Sequence, residues 1–157
     1  GAIVALGCAG ELWIKSISTT PGYWNRPDLN SALLDRDGFL QSGDSACFDT
    51  SHNLYLRGRI GDLINYRGFK FSPAEAEDIL MSHPAVLDAV VVGMPHPDDT
   101  QHAVAFVVKR AGVDITETEI AAFVNGQVDD EKKLRGGVHF RESLPRVAVG
   151  KVTRKAL

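Results

Sequence analysis

A chain of 157 residues with 44% hydrophobic and 24% charged content is long enough for one globular domain or two small ones, and it can bury a core. Its net charge of -3 and pI near 5.9 supply no general basic field, which argues against a nucleic-acid surface. The two cysteines, Cys8 and Cys47, lack the spacing of a metal site or redox pair, and no apolar run is long enough to span a bilayer, so a reduced, cytoplasmic setting is expected with the peroxisome left open.

Gly1 to Ala9 lacks the basic start of a signal peptide, and the chain opens without Met directly before a strand-like segment. It is therefore expected to be a piece of a longer chain, the alternative being a complete small protein with a stray residue at Gly1. Glu11 to Lys15 alternates polar and apolar residues, the pattern of a half-buried strand. Pro21 to Pro27 is a turn-rich connector, and Asp28 to Leu34 fits a short helix. Asp37-Gly38 is a turn signal leading into a strand over Phe39 to Ser42. Ala46-Cys47-Phe48 and Leu54-Tyr55-Leu56 read as the arms of a hairpin, which makes the first part a small all-β piece.

The stretch from Gly58 to Glu75 then divides the chain. Gly58, Gly61 and Gly68 can take backbone angles closed to other residues, which suits a junction that bends or admits a ligand. Ser72-Pro73-Ala74-Glu75 predicts a helix start, with Ser72 as N-cap, Pro73 at the first helical position and Glu75 closing a capping box. Ala76, Ile79 and Leu80 continue it at helical spacing, and His83-Pro84 ends it. Val86 to Val92 and Val104 to Val108 are β-branched runs of strand length around a Pro95 to Asp99 loop. Thr116 and Glu119 predict a second capping box and helix, Val138-His139-Phe140 a further strand, and Lys151 to Leu157 a closing helical turn. The interleaving of strands and helices reads as a compact α+β domain over 61–157, following the β piece over 1–60.

Several residues offer chemistry. Asp44, in Ser42-Gly43-Asp44 at the end of a strand, can accept both hydroxyls of a ribose or simply cap a turn. Arg59 can pair with a phosphate or sugar, or with a surface acid. Lys151, on the glycine-flexed Val149 to Val152 loop, can swing toward developing negative charge. His52, His83, His96, His102 and His139 show no ligand spacing, and no zinc signature or nucleophile elbow is present, so no metal site is expected. Lys132-Lys133-Leu134-Arg135 reads as a solvated face, or as a neighbour of a nucleotide or carrier phosphate.

Taken together, Gly10-Glu11-Leu12-Trp13-Ile14, Gly22-Tyr23-Trp24, Ser42-Gly43-Asp44, Gly58-Arg59, Tyr66-Arg67-Gly68, Pro73-Ala74-Glu75, His83-Pro84-Ala85-Val86, Ala105 to Val108, Leu144-Pro145 and Gly150-Lys151 resemble the C-terminal part of the adenylate-forming ligases. These include acyl-CoA synthetases, aryl-CoA ligases, beetle luciferases and peptide-synthetase adenylation domains. The resemblance covers nearly the whole chain and implies a small β-barrel-like remnant of the large AMP-binding domain followed by a mobile α+β C-terminal domain. It implies that Asp44 and Arg59 bind the ribose or phosphate of ATP or the acyl-adenylate, that Gly61 is the hinge, and that Lys151 stabilises charge during adenylation. Gly68, with Arg67 beside it, would flank the pantetheine channel of coenzyme A.

Three departures from the family pattern stand out. Gly61 replaces the usual hinge Asp or Lys, Asn65 replaces a common lysine, and Thr100-Gln101 replaces a common Gly-Glu. The implied activity is an ATP-dependent carboxylate–CoA ligase using ATP with Mg2+ and coenzyme A, inactive here because the phosphate loop and acid pocket belong to an upstream domain. A non-catalytic binding or regulatory module, a luciferase-like monooxygenase and a peptide-synthetase fragment are the alternatives. Open strand edges in the β piece would also allow a homodimer.

Overall fold

A computed structural model describes residues 2–148, 150 and 152–157, and divides the chain into two units, Gly1–Gly61 and Asp62–Leu157. In the first unit, β1 (Gly10–Ile14), β2 (Leu40–Phe48) and β3 (Leu54–Arg59) form an antiparallel sheet in that order, with helix α1 (Pro27–Leu33) between β1 and β2. Three strands leave two open edges, so the expected barrel-like remnant is an open sheet.

The two short strands expected over 39–42 and 46–48 are one strand. Glu11 pairs with Ser45 and Trp13 with Gln41, so Ser42, Gly43 and Asp44 all stand opposite the single residue Leu12. Gly43, at φ +72°, lets the strand bulge there instead of ending. Among the described residues of this unit only Ser45 and Ala46 are buried, while Phe48, Leu54, Tyr55 and Leu56 are exposed. A three-stranded sheet draws its stability from a covered apolar face, which this unit does not build from its own residues.

The second unit has its own core. Strands β4 (Ile64–Tyr66), β5 (Phe69–Phe71), β6 (Val86–His96), β7 (Thr100–Lys109) and β8 (Val138–Phe140) make one sheet, ordered β5-β4-β7-β6, with β8 parallel to β7. Helices α2 (Ala74–Ser82) and α3 (Glu117–Asn125) supply Leu80, Ile120 and Val124 to a core that also holds Ile64, Val91 and Val107. The other face of β6 and β7 is covered too: Val90, Val92, Val104, Phe106 and Val108 pack with Leu144, and against Val152 and Leu157. Burial on both faces explains why these strands read as unbroken apolar runs rather than alternating ones. They are longer than expected, running to a tight turn at Pro97–Asp99.

The helix ends follow from local chemistry. At α3 the Thr116 side chain accepts from the Glu119 amide and the Glu119 carboxylate accepts from the Thr116 amide, the expected capping box. At α2 the box is absent: Pro73 is the N-cap, and Glu75 instead receives the Lys132 ammonium at 2.8 Å. Ser72 Oγ still accepts the Ala74 amide at 3.2 Å, one position from the predicted start. The stretch read as a glycine turn opening straight into a helix contains the β4–β5 hairpin first. Lys132 to Arg135 is likewise no plain solvated face. Leu134 is buried in the core, Lys132 pairs with Glu75 and Asp129, and Arg135 lies over the Tyr66 ring at 4.2 Å. Among the described residues no helix is long and apolar enough to cross a membrane.

Candidate functional site

Asp44 and Arg59 are directly opposed on β2 and β3, and the Arg59 Nε lies 3.0 Å from Asp44 Oδ1 as an ion pair. A register shift between Ser45 and Ala46, which leaves Arg57 as the extra residue on β3, sets Arg59 opposite Asp44. Gly43 and Asp44 are held through their amides by Glu11 Oε1 and Ser42 Oγ, at 3.2 and 3.0 Å. Both charged side chains remain partly open to solvent, so the ion pair is worth about 0–1 kcal/mol. So weak a link can be exchanged for a ligand's hydroxyls without unfolding the strand pair. Gly61, the expected hinge, lies in a short 3-10 turn over Ile60–Asp62 with open space where a Cβ would stand.

In the second unit the sequence-predicted Arg67 and Gly68 are the two central residues of the β4–β5 turn. Tyr66 pairs with Phe69, and both turn residues have positive φ, +49° and +89°. This is the geometry of a type I′ turn, which suits the second position, Gly68, and strains Arg67. Contacts hold Arg67 there: its amide donates to the Asp99 carbonyl at 3.0 Å and its Nε to Asp99 Oδ1 at 2.5 Å. Asn65 also serves the turn, its Oδ1 accepting the Gly68 amide at 2.9 Å, while its own amide donates to Gln101 Oε1 at 2.8 Å. A long side chain such as lysine at 65 would leave the Gly68 amide without this acceptor. Gly68→Ala should lower the stability of the chain by about 1 kcal/mol, read by urea denaturation, because Ala gains a strained φ and no new contact.

Asp99 is the hub behind this turn. Its side chain is 9% exposed, and it accepts from Arg67 on one oxygen and meets His102 Nε2 at 2.7 Å on the other. The His102 contact first, and the Arg67 guanidinium second, hold its pKa down to about 2. Because the folded value lies below the unfolded one, the contribution is complete above about pH 4. It is lost as pH falls through about 2. Thermal melts should therefore show acid destabilisation across that window, with a flatter profile in Asp99→Asn.

The C-terminal segment is tied down around the predicted lysine. Arg146 and Val152 form a β-bridge, the Thr153 amide donates to the Pro145 carbonyl at 2.8 Å, and Gly150 has φ +84°. Arg146 pairs with Asp88. Arg154 donates to Glu77 Oε1 at 2.6 Å and lies 3.9 Å from Asp62 Oδ2. Burial pushes the Glu77 carboxyl above the usual range against the pull of the Val91 amide and Arg154. Lys151 itself lies outside the described residues. Sequence reasoning singled out neither Asp99, Glu77 nor Arg154; each acts through a partner 32 to 77 positions away, and no local spacing marks such a pair.

Residues 75–151 match the family profile of the AMP-binding enzyme C-terminal domain. The chain is 38% identical over all 157 residues to the luciferin 4-monooxygenase of Photinus pyralis, and 36% identical over the same length to 4-coumarate–CoA ligase-like 6 of Arabidopsis thaliana. It spans about 28% of the length of each of these relatives. Among solved structures it superposes, with a TM-score of 0.88 and 28% identity, on the o-succinylbenzoate CoA synthetase of Bacillus subtilis in complex with the acyl-adenylate intermediate, covering 97% of this chain and 31% of that one. An open three-stranded sheet followed by an α+β unit with its own core matches the fold of the C-terminal part of adenylate-forming enzymes. The chain belongs to that AMP-binding superfamily, and residues 75–151 match the family's C-terminal domain.

Proposed function

We propose that the chain is the C-terminal portion of an ATP-dependent carboxylate–CoA ligase that works only with an upstream AMP-binding domain. The observation that carries this reading is the Asp44–Arg59 pair, an exchangeable carboxylate and guanidinium aligned on adjacent strands just before Gly61. In the first half-reaction the acid's carboxylate oxygen attacks the α-phosphorus of ATP, delivered as its magnesium complex, and pyrophosphate leaves. Asp44 accepts the ribose hydroxyls, Arg59 holds the ribose or its phosphate, and Lys151 offsets the charge that builds on the phosphate. In the second, the coenzyme A thiol gives up its proton and attacks the acyl carbon, and AMP leaves. Rotation about Gly61 exchanges Lys151 for the Arg67–Gly68 turn at the reaction centre.

Joining the chain to the AMP-binding domain of a CoA-ligase relative tests the reading. Carboxylate-dependent pyrophosphate release followed by thioester formation is the expected result, and a chimera that forms neither product although folded would overturn it. The 38% identity to a luciferin 4-monooxygenase favours a second reading, a luciferase-like monooxygenase, which light emission on supplying luciferin, ATP and oxygen would reveal.

A further inference from the structure

We propose that His96, Asp99 and His102 form a binding site for one divalent transition-metal ion, of the class that zinc represents, at the tip of the β6–β7 hairpin. Each residue offers one donor atom, and the three donors all lie within 4.8 Å of one another. Asp99 Oδ2 stands 2.7 Å from His102 Nε2 and 3.8 Å from His96 Nδ1. Zinc bonds of about 2.0–2.2 Å at a tetrahedral angle set donors about 3.4 Å apart. The 2.7 and 3.8 Å separations bracket that spacing, and ligation requires the two stacked rings to turn out of parallel so that their in-plane lone pairs converge on the ion.

The hairpin creates this juxtaposition. His96 pairs with Thr100 and Met94 with His102, so both imidazoles emerge on one face and stack at 3.8 Å, with planes only 15° apart. Asp99 is tucked beneath them by the turn, where Thr100 sits at φ +70°, a rare position for a β-branched residue and one held only by the contacts around it. Two imidazoles and one carboxylate are a donor set suited to zinc and its first-row neighbours. Arg67 occupies the other carboxylate oxygen, Oδ1, fixing the carboxylate's orientation as outer hydrogen bonds do in metal sites. An ion would replace the His102 Nε2 contact on Oδ2 and the Asp98 and Asp99 amides that His96 Nδ1 accepts in its absence. The imidazoles open onto a groove of about 450 Å³, also lined by Met94, His139 and Arg141, through which water can complete the coordination. The sequence carries the signal as His-x2-Asp-x2-His, which is hidden until the turn folds it back on itself.

The test is a titration of the tag-free chain with zinc by calorimetry, and with cobalt(II) by visible absorption. One ion per chain is expected, with cobalt bands typical of four-coordinate nitrogen and oxygen donors. His96→Ala and His102→Ala should each weaken zinc binding by about tenfold or more, and His52→Ala should leave it unchanged. His96 is the more exposed of the pair, its side chain 34% open against 18%, so His96→Ala decides the matter if His102→Ala fails to fold. Zinc binding to the His96→Ala chain as tight as to the parent, at equal melting temperature, would overturn the proposal. So would equal losses in His96→Ala and His52→Ala.

Discussion

Lys151→Ala, in this chain joined to a relative's AMP-binding domain, is expected to slow carboxylate-dependent pyrophosphate release by about 10²–10³-fold, equivalent to roughly 2.7–4 kcal/mol of lost transition-state stabilisation. An ammonium group that meets charge only as the carboxylate attacks phosphorus contributes in the transition state and little in the ground state. The loss should therefore fall on the rate of the step and much less on ATP affinity. Thioester formation from supplied acyl-adenylate should be nearly unaffected, because in the proposed cycle Lys151 has by then given way to the Arg67–Gly68 turn. Equal loss of both half-reactions would mean that the lysine supports the fold, and an unchanged pyrophosphate rate would remove it from the mechanism. Val152 and Arg154, close behind it in sequence, are held by the Arg146–Val152 bridge and the Arg154–Glu77 ion pair.

The largest stability effect should come from Leu80→Ala, at about 2–5 kcal/mol in urea denaturation followed by far-UV circular dichroism. Leu80 is fully buried on the inner face of α2, in the cluster that also holds Ile64, Val86, Ile120 and Val124, so truncation leaves a cavity that strands and helices on all sides cannot fill. Leu56→Ala is the comparator. Leu56 is 65% exposed on β3, in the unit without a core of its own, and its loss should fall within about 0.5 kcal/mol. Similar costs at the two positions would mean that the first unit is better packed than its sheet indicates.

The second helix was legible down to its cap because Thr116 and Glu119 carry their whole signal within four residues. The β6 and β7 strands were legible because burial on both faces leaves an apolar run with no other home. The Ser42–Asp44 segment misled in form though not in place: Gly43 and an acid read as a strand end, whereas pairing with β1 across the bulge keeps the strand going. The β4–β5 hairpin escaped because three-residue strands carry too little periodicity to separate from a glycine turn, and their identity comes from pairing with Thr100 far along the chain. Glu75 was assigned to a cap because the spacing allowed it. Lys132, a residue 57 positions away, won the carboxylate.

By itself the sequence determined the order and type of most elements, since these rest on short-range patterns or on several weak motifs in one fixed order. Only the tertiary structure decided that Asp99 gathers Arg67 and His102, that Asn65 braces the Gly68 turn, and that Arg154 reaches both Glu77 and Asp62. The Arg67–Asp99 and Arg154–Glu77 contacts join residues distant in the chain, and what selects them is the burial of charge, which requires a partner and takes whichever one the folded sheet brings within reach. The Asp99–His102 and Asn65–Gly68 contacts are three residues apart and form because the turns between them fold back.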